Sequence, residues 1–238
     1  MRSRVPHGGA GSAARCSRRP AAEARRLGCR ELAGHHATPA GAAFAAAAGA
    51  SDTRTDVRSL LDLPGAALDA PAVDGYRLLS WIGAAPERLL AGYAVARNAI
   101  NDAPASNELE QHVWTEETVR DEEAMLEQRG RQLRITVALD PGENVAAFTE
   151  LRISPEPGAV ASTEDTATVA AHRGRGLAGW VKAESLRRLR ADRPDVRLVT
   201  TTNAAGNEPI LALNRRLGFE RVAVATTASV ALEGASVQ

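Results

Sequence analysis

The seven residues His172-Arg173-Gly174-Arg175-Gly176-Leu177-Ala178 constrain this chain more than any other stretch. They join a threonine-rich strand, residues 162–169, to a helix-period run from Leu177 to about Ala191 that Pro194 stops. Glycines at 174 and 176 let the backbone approach a ligand closely and take conformations that a side chain forbids. The free N–H groups and positive dipole end of the following helix form an anion site. Arg173 and Arg175 add charge where phosphates would sit. A nucleotide P-loop is excluded because no Gly-Lys-Ser/Thr follows, and the dinucleotide fingerprint lacks its third glycine and its βαβ start. A diphosphate loop of another kind remains, beside the plainer reading of a flexible basic turn.

The elements around this loop are legible. Residues 76–82 read as a strand, Pro86 opens a helix through Ile100, and residues 101–107 form a loop. Thr115 caps a second helix that Gly130 ends. Residues 133–139 and 145–153 are strands joined by Asp140-Pro141-Gly142-Glu143. A strand over 196–202, a helix capped by Asn207 and ending at Gly218, and one or two closing strands over 221–232 complete the order. Two helices ahead of a hairpin point to an α+β, mixed α/β sheet rather than a regular doubly wound one. Residues 58–63 can form a short strand, but Pro64-Gly65 and Pro71 to Gly75 punctuate the stretch, so 64–75 reads as a linker before a complete domain over 76–238.

At this level the chain resembles the GNAT (GCN5-related) N-acetyltransferase family. His172 to Ala178 resembles its pyrophosphate loop, Arg/Gln-x-x-Gly-x-Gly/Ala, with Arg173, Gly176 and Ala178 near the anchors. Thr202-Asn203-Ala204 and the Asn207-to-Phe219 helix resemble two later signatures in the same order. The resemblance implies a GNAT-like acyl-CoA N-acyltransferase fold whose sheet splays open after its fourth strand. It implies acetyl-CoA as cosubstrate, with no metal, and direct transfer of the acetyl group to an amine. Backbone groups of Thr168, Val169 and Ala170 would hold pantetheine, and the N–H groups of Arg173, Gly174, Arg175, Gly176, Leu177 and Ala178 the pyrophosphate, with Asn203 and Asn207 contributing from the later signatures.

For catalysis, many members place a tyrosine where this chain has Asn214; an amide can only donate a hydrogen bond to the leaving thiolate. Glu164 and Asp165 are adjacent on the fourth strand, and strict alternation sends them to opposite faces. The family's use of a glutamate there favours Glu164 as base, with Asp165, Glu150 and His172 as other candidates. The acceptor pocket is expected from the 76–115 region, where Tyr93, Asp102 and Trp114 stand out beside Asn101 and His112, Asp102 as the seat of a cationic amine. A catalytically silent acyl-CoA-binding or scaffold protein is the alternative, suggested by Asn214.

The 29 basic and 29 acidic residues cancel, which argues against a nucleic-acid partner. Met1 to Ala22 holds five arginines and no acid, a composition shared with targeting leaders. No run approaches the apolar length of a membrane helix, so no membrane partner is expected. Cys16 and Cys29 fit no metal or redox spacing. The chain reads as a cytoplasmic enzyme with a small-molecule amine acceptor and an oligomeric state that the sequence leaves open.

Residues 1–63 read as a truncated, degenerate copy of the same motifs. Displaced by 165, His7, Gly9, Gly11 and Ala13 fall on His172, Gly174, Gly176 and Ala178, while Gly8 and Ala10 replace both arginines. Residues 21–27 read as helix and 29–37 as strand, and Thr38 to Gly49 overlays Asn207 to Gly218. A tandem architecture follows, and a chain starting near Ala70 is expected to keep its fold and its coenzyme.

Overall fold

The computed structural model describes residues 20–102, 113–156, 158 and 160–232. His7 to Ala13, residues 103–107 and His112 therefore lie outside the described residues. The chain divides into two compact units, Arg58–Val222 and Met1–Val57 with Ala223–Gln238.

In the larger unit the strands β3 (Arg77–Ile82), β4 (Gln132–Leu139), β5 (Val145–Ile153), β6 (Ala161–Thr168) and β7 (Leu198–Ala204) join the second half of β2 (Ser51–Asp62). They lie in the order β2-β7-β6-β5-β4-β3. β3 to β6 pair antiparallel, and β6 pairs β7 in parallel, so the sheet is mixed. β4 and β5 are buried almost throughout, because helices cover both faces.

One face carries α3 (Glu87–Arg97) and α4 (Glu116–Gln128), whose Leu89, Leu90, Tyr93, Val119 and Leu126 pack on Ile135, Val137 and Phe148. Pro86 stands at the N-cap of α3, one residue before the helix proper. Thr115 caps α4 as expected, in a reciprocal box closed by the Thr118 side chain. The other face carries α5 (Leu177–Asp192) and α6 (Glu208–Arg216), packed on Leu151, Ile153, Val199 and Phe219. Asn207 caps α6, and Gly218, at φ 90°, follows its end.

The short strand expected over 58–63 is the end of a longer one, and the expected linker, 64–75, carries Leu68 into the core. β2 is a strand of twelve residues. Leu61, Leu63 and Leu68 are 1%, 0% and 2% exposed and belong to the core beneath α5 and α6. The Leu63 N–H donates to the Arg197 carbonyl at 2.8 Å. The unit thus begins at Arg58, ahead of the expected boundary, because its core needs these leucines.

In the smaller unit residues 20–26 are helical (α1), β1 (Glu31–His36) follows, and α2 (Pro39–Ala47) is capped by the Thr38 hydroxyl. β1 pairs antiparallel with β8 (Glu220–Ala231), from Glu31 opposite Ala231 to His36 opposite Thr226. None of the α2 side chains is buried.

Candidate active site

The sheet parts between β6 and β7. Their pairing covers only Ala161, Ser162 and Thr163 against Val199, Thr200 and Thr201, whereas β6 runs on to Thr168 and β7 to Ala204. Beyond the fork no strand among the described residues pairs with that β6 edge. A cavity of about 600 Å³ opens there, lined by Thr166, Ala167 and Thr168, by His172 to Gly179, and by Asn207, Pro209, Leu213 and Arg216 of α6 and its N-cap.

The loop at the mouth of this cavity has the backbone that its glycines predict. Gly174 and Gly176 stand at φ 77° and 86°, and Gly176 is the N-cap of α5. A Cβ built on either would meet no protein atom within 4 Å. The left-handed conformation, rather than crowding, is what calls for glycine there. The N–H groups of Leu177, Ala178 and Gly179 open the helix and have no intrahelical acceptor, so the positive end of α5 faces the cavity. A diphosphate fits this cradle of donors, and the free β6 edge fits an extended amide-bearing arm.

Of the strand-end residues expected to hold that arm, Thr168 lines the cavity and Val169 and Ala170 do not. The Val169 N–H donates to the Ala146 carbonyl at 2.9 Å, and its carbonyl accepts from His172. The chain has already turned into a short 3-10 segment, Ala170–His172, so the usable edge is Thr166 to Thr168.

Arg173 and Asp102 are brought together. The Arg173 guanidinium lies 2.5 Å from the Asp102 carboxylate, and its Nε donates to the Thr168 carbonyl at 3.1 Å. Asp102 therefore already holds a guanidinium on the loop side of the cavity. The Arg175 side chain accompanies the loop on the cavity wall. His172 Nδ1 is 2.8 Å from the Tyr76 hydroxyl.

Asn214 is 1% exposed and absent from the cavity wall. Its Oδ1 accepts from Lys182 Nζ at 2.7 Å, and its Nδ2 donates to Asn203 Oδ1 at 2.8 Å. Lys182, the chain's single lysine, is itself 1% exposed, and burial pushes its ammonium down to about 7. A charged residue on the same helix stripe as the buried Leu186 and Leu189 was the available signal.

Tyr93, expected in the acceptor pocket, is instead a core residue. It is 1% exposed, its ring meets Trp81 and Phe148 edge-on, and its hydroxyl donates to Glu150 at 2.7 Å. Trp114 covers Arg97, with the guanidinium carbon 3.3 Å from its ring centroid. Glu150 has no exposed surface, and burial pushes its carboxyl up to about 7 against the pull of Arg97.

Glu164 and Asp165 break the expected alternation. Thr149 faces Thr166 and Leu151 faces Thr163, so both acids stand opposite the single residue Glu150 in a β-bulge. Among the described residues there is no group of side chains suited to a metal ion, and no helix is long and apolar enough to cross a membrane.

No family model and no curated protein matches the chain. Solved structures do. A tandem GNAT protein from the clavulanic acid biosynthesis pathway, without acetyl-CoA, is 27% identical with a TM-score of 0.75, covering 91% of this chain and 68% of its own. A GCN5-related N-acetyltransferase from Sphaerobacter thermophilus gives 13% identity and a TM-score of 0.60 over 86% of this chain and 61% of its own. One from Kribbella flavida gives 16% and 0.58 over 94% and 77%. With its single mixed sheet, the chain accordingly has the GNAT-like acyl-CoA N-acyltransferase fold.

Proposed function

We propose that the protein is an N-acetyltransferase that moves the acetyl group of acetyl-CoA directly to an amine of a small acceptor. The fork between β6 and β7, with the Gly174–Gly176 loop and the open end of α5 on one cavity, carries this reading. Pantetheine would add to the free edge at Thr166 to Thr168. The diphosphate would take the N–H groups of the loop and first turn, with Arg173 and Arg175 beside it. Asn207 holds the α6 end of the wall in place by capping it. The chemistry needs a proton acceptor for the ammonium and donors for the thiolate, and carboxylates stand at the bulge just beyond Thr166.

Calorimetric titration with acetyl-CoA tests this. Arg173→Ala should weaken binding by about 1.5–3 kcal/mol, toward the lower figure because Arg173 must leave Asp102 and the Thr168 carbonyl to reach a phosphate. Gly176→Val should do more harm, because its φ of 86° strains any side chain. Unchanged affinity in both variants overturns the loop assignment.

A silent acyl-CoA-binding protein of the same fold is the second reading. The burial of Asn214 away from the cavity favours it. Thiol release from acetyl-CoA in the presence of amines separates the two.

We also infer that residues 20–62 are the remnant of a first copy. Helix, strand, capped helix and strand recur there in the order of α5, β7, α6 and β8, and Gly49 and Gly218 follow the two capped helices at φ 79° and 90°. The tandem GNAT neighbour agrees with this reading.

A further inference from the structure

Among the described residues Lys182 is buried with no carboxylate beside it, whereas the buried Arg97 and Arg134 each have at least one. Its Nζ meets Asn214 Oδ1 at 2.7 Å and stands 5.1 Å from the centroid of the Phe219 ring. Neither carries a negative charge. Asn214 is held in turn by Asn203, which lies on β7 beyond its last pair with β6. The helix α5, the helix α6 and the free arm of β7 therefore meet at this one side chain.

Charged groups on the surrounding elements turn elsewhere. On α5, Glu184 holds Arg187 and Arg188. On α6, Arg215 pairs with Glu208, and Arg216 lies on the cavity wall. β7 carries no charged residue, and Glu220, at the start of β8, is exposed. Arg134 of β4 pairs with Asp192 in the last turn of α5. Glu150, Arg152 and Asp165 gather with Arg97 and Glu122, and Glu164 stands beside Asp165 opposite Glu150. Burying an unpaired ammonium is costly, and burial alone pushes Lys182 down to about 7. Above that pH the empty protein holds a neutral amine.

Lys182 also stands on the helix whose open end faces the cavity. Leu177, Ala178 and Gly179 line that cavity, and Lys182 is one turn beyond Gly179, about 8 Å along the axis from Leu177. Helical side chains lean toward the N-terminus, here the direction of the diphosphate cradle. A Cβ built on Gly179 would stand 3.3 Å from Leu213 Cδ1, and Asn214 is the residue after Leu213. The amine thus lies behind the first turn, where the low polarity of the interior transmits charge with little screening. An empty cradle is positive, with the helix end, Arg173, Arg175 and Arg216 on its wall. A bound diphosphate reverses that sign.

We propose that Lys182 is the buried counter-charge of the coenzyme: neutral in the empty protein, it takes up a proton when the diphosphate docks on the first turn of α5. The inference rests on the acetyl-CoA reading and adds to that site a residue that is not on the cavity wall. One proton leaves the solvent and bonds to the lone pair of Nζ, and no other bond changes. Amine and ammonium both donate to Asn214 Oδ1, so the chain of amides survives the step. The sign of the pH dependence follows. The complex holds more protons than the empty protein, so affinity is highest at the acid end of the window. It falls by up to about tenfold per pH unit above 7, where each coenzyme must draw a proton in with it.

Calorimetric titration with coenzyme A near pH 8, in two buffers of different ionisation enthalpy, counts the protons taken up. Wild-type protein should take up between about half a proton and one per coenzyme bound. Lys182→Met and Lys182→Gln should take up fewer by that amount, and their affinity should not follow the wild-type fall between pH 7 and 9. The variants share every other titrating group, those of the coenzyme included, so the difference belongs to Lys182. Coenzyme binding to wild-type protein without proton uptake overturns the proposal, whether or not either variant folds. Uptake that persists undiminished in a folded variant overturns it as well. A wild-type protein that binds no coenzyme A overturns the acetyl-CoA reading itself, and this inference with it.

Discussion

Deleting residues 1–69 is the perturbation that most directly tests where the larger unit begins. The sequence treats 64–75 as a linker, so a chain beginning at Ala70 should keep its fold. The structure predicts collapse. The deletion takes Leu61, Leu63 and Leu68, none more than 2% exposed, out of the core that seats α5 and α6. Leu61 alone reaches the turn at Gly218, where a built Cβ would sit 3.4 Å from its Cδ1. Truncating one buried leucine costs about 2–5 kcal/mol. Losing three such side chains, with the Leu63 backbone bond to Arg197, approaches the roughly 5–15 kcal/mol that holds a domain together. Urea unfolding followed by circular dichroism makes the comparison. Leu61→Ala in the full chain should lose about 2–5 kcal/mol, or roughly 4–20 °C in Tm for a unit of this size. A chain from Ala70 should show no cooperative transition. A chain from Ala70 that melts cooperatively within a few degrees of the full protein and binds acetyl-CoA would refute this assignment of the core.

Two further predictions concern buried charge. Lys182, with a folded value of about 7, binds fewer protons native than unfolded between pH 7 and its unfolded value near 10.5, so stability should rise with pH across that window by about 1.4 kcal/mol per unit, a slope that Lys182→Met should abolish in pH-dependent urea melts. Glu150 has the opposite sign: with a folded value of about 7 against 4.5 unfolded, it binds more protons native between those limits, so stability should fall as pH rises through them, and Glu150→Gln should flatten that fall.

Local pattern carried much of the fold because most of these elements are bounded by residues with strong positional chemistry. Thr115, Asn207, Gly130 and Gly218 mark helix ends in the sequence and stand at or next to those ends in the structure. Residues 145–153 form a strand with the same limits in both. Of β2 only the end, 58–63, is legible as a short strand, because the charges of 51–57 look like those of a connection and its partner β7 lies far along the chain. Arg97 was visible only as one more member of a helical repeat. Yet an arginine sharing a stripe with Leu89, Leu90, Tyr93 and Ala94 must be buried with them, and its need for carboxylates points to Glu122, Glu150 and Asp165. The loop at 172–178 was legible because left-handed glycines at a helix start have few other uses. The engagement of Arg173 with Asp102 was not, since nothing in sequence spacing joins them.

The extra residue at Glu164–Asp165 adds a carboxylate to β6 without changing which residues face the fork. Thr163 and Thr166 face Leu151 and Thr149, two residues apart on β5, so the strand resumes the same phase on either side of the insertion. Removing one of the two acids would leave Thr166 and Thr168 on the side they now occupy, with the open edge intact and one carboxylate fewer opposite Glu150. The open strand edge and the charge opposite Glu150 are in this sense independently heritable. A single-codon insertion or deletion, rather than a series of point changes, is the natural step by which a chain of this fold would gain or lose a carboxylate beside that edge.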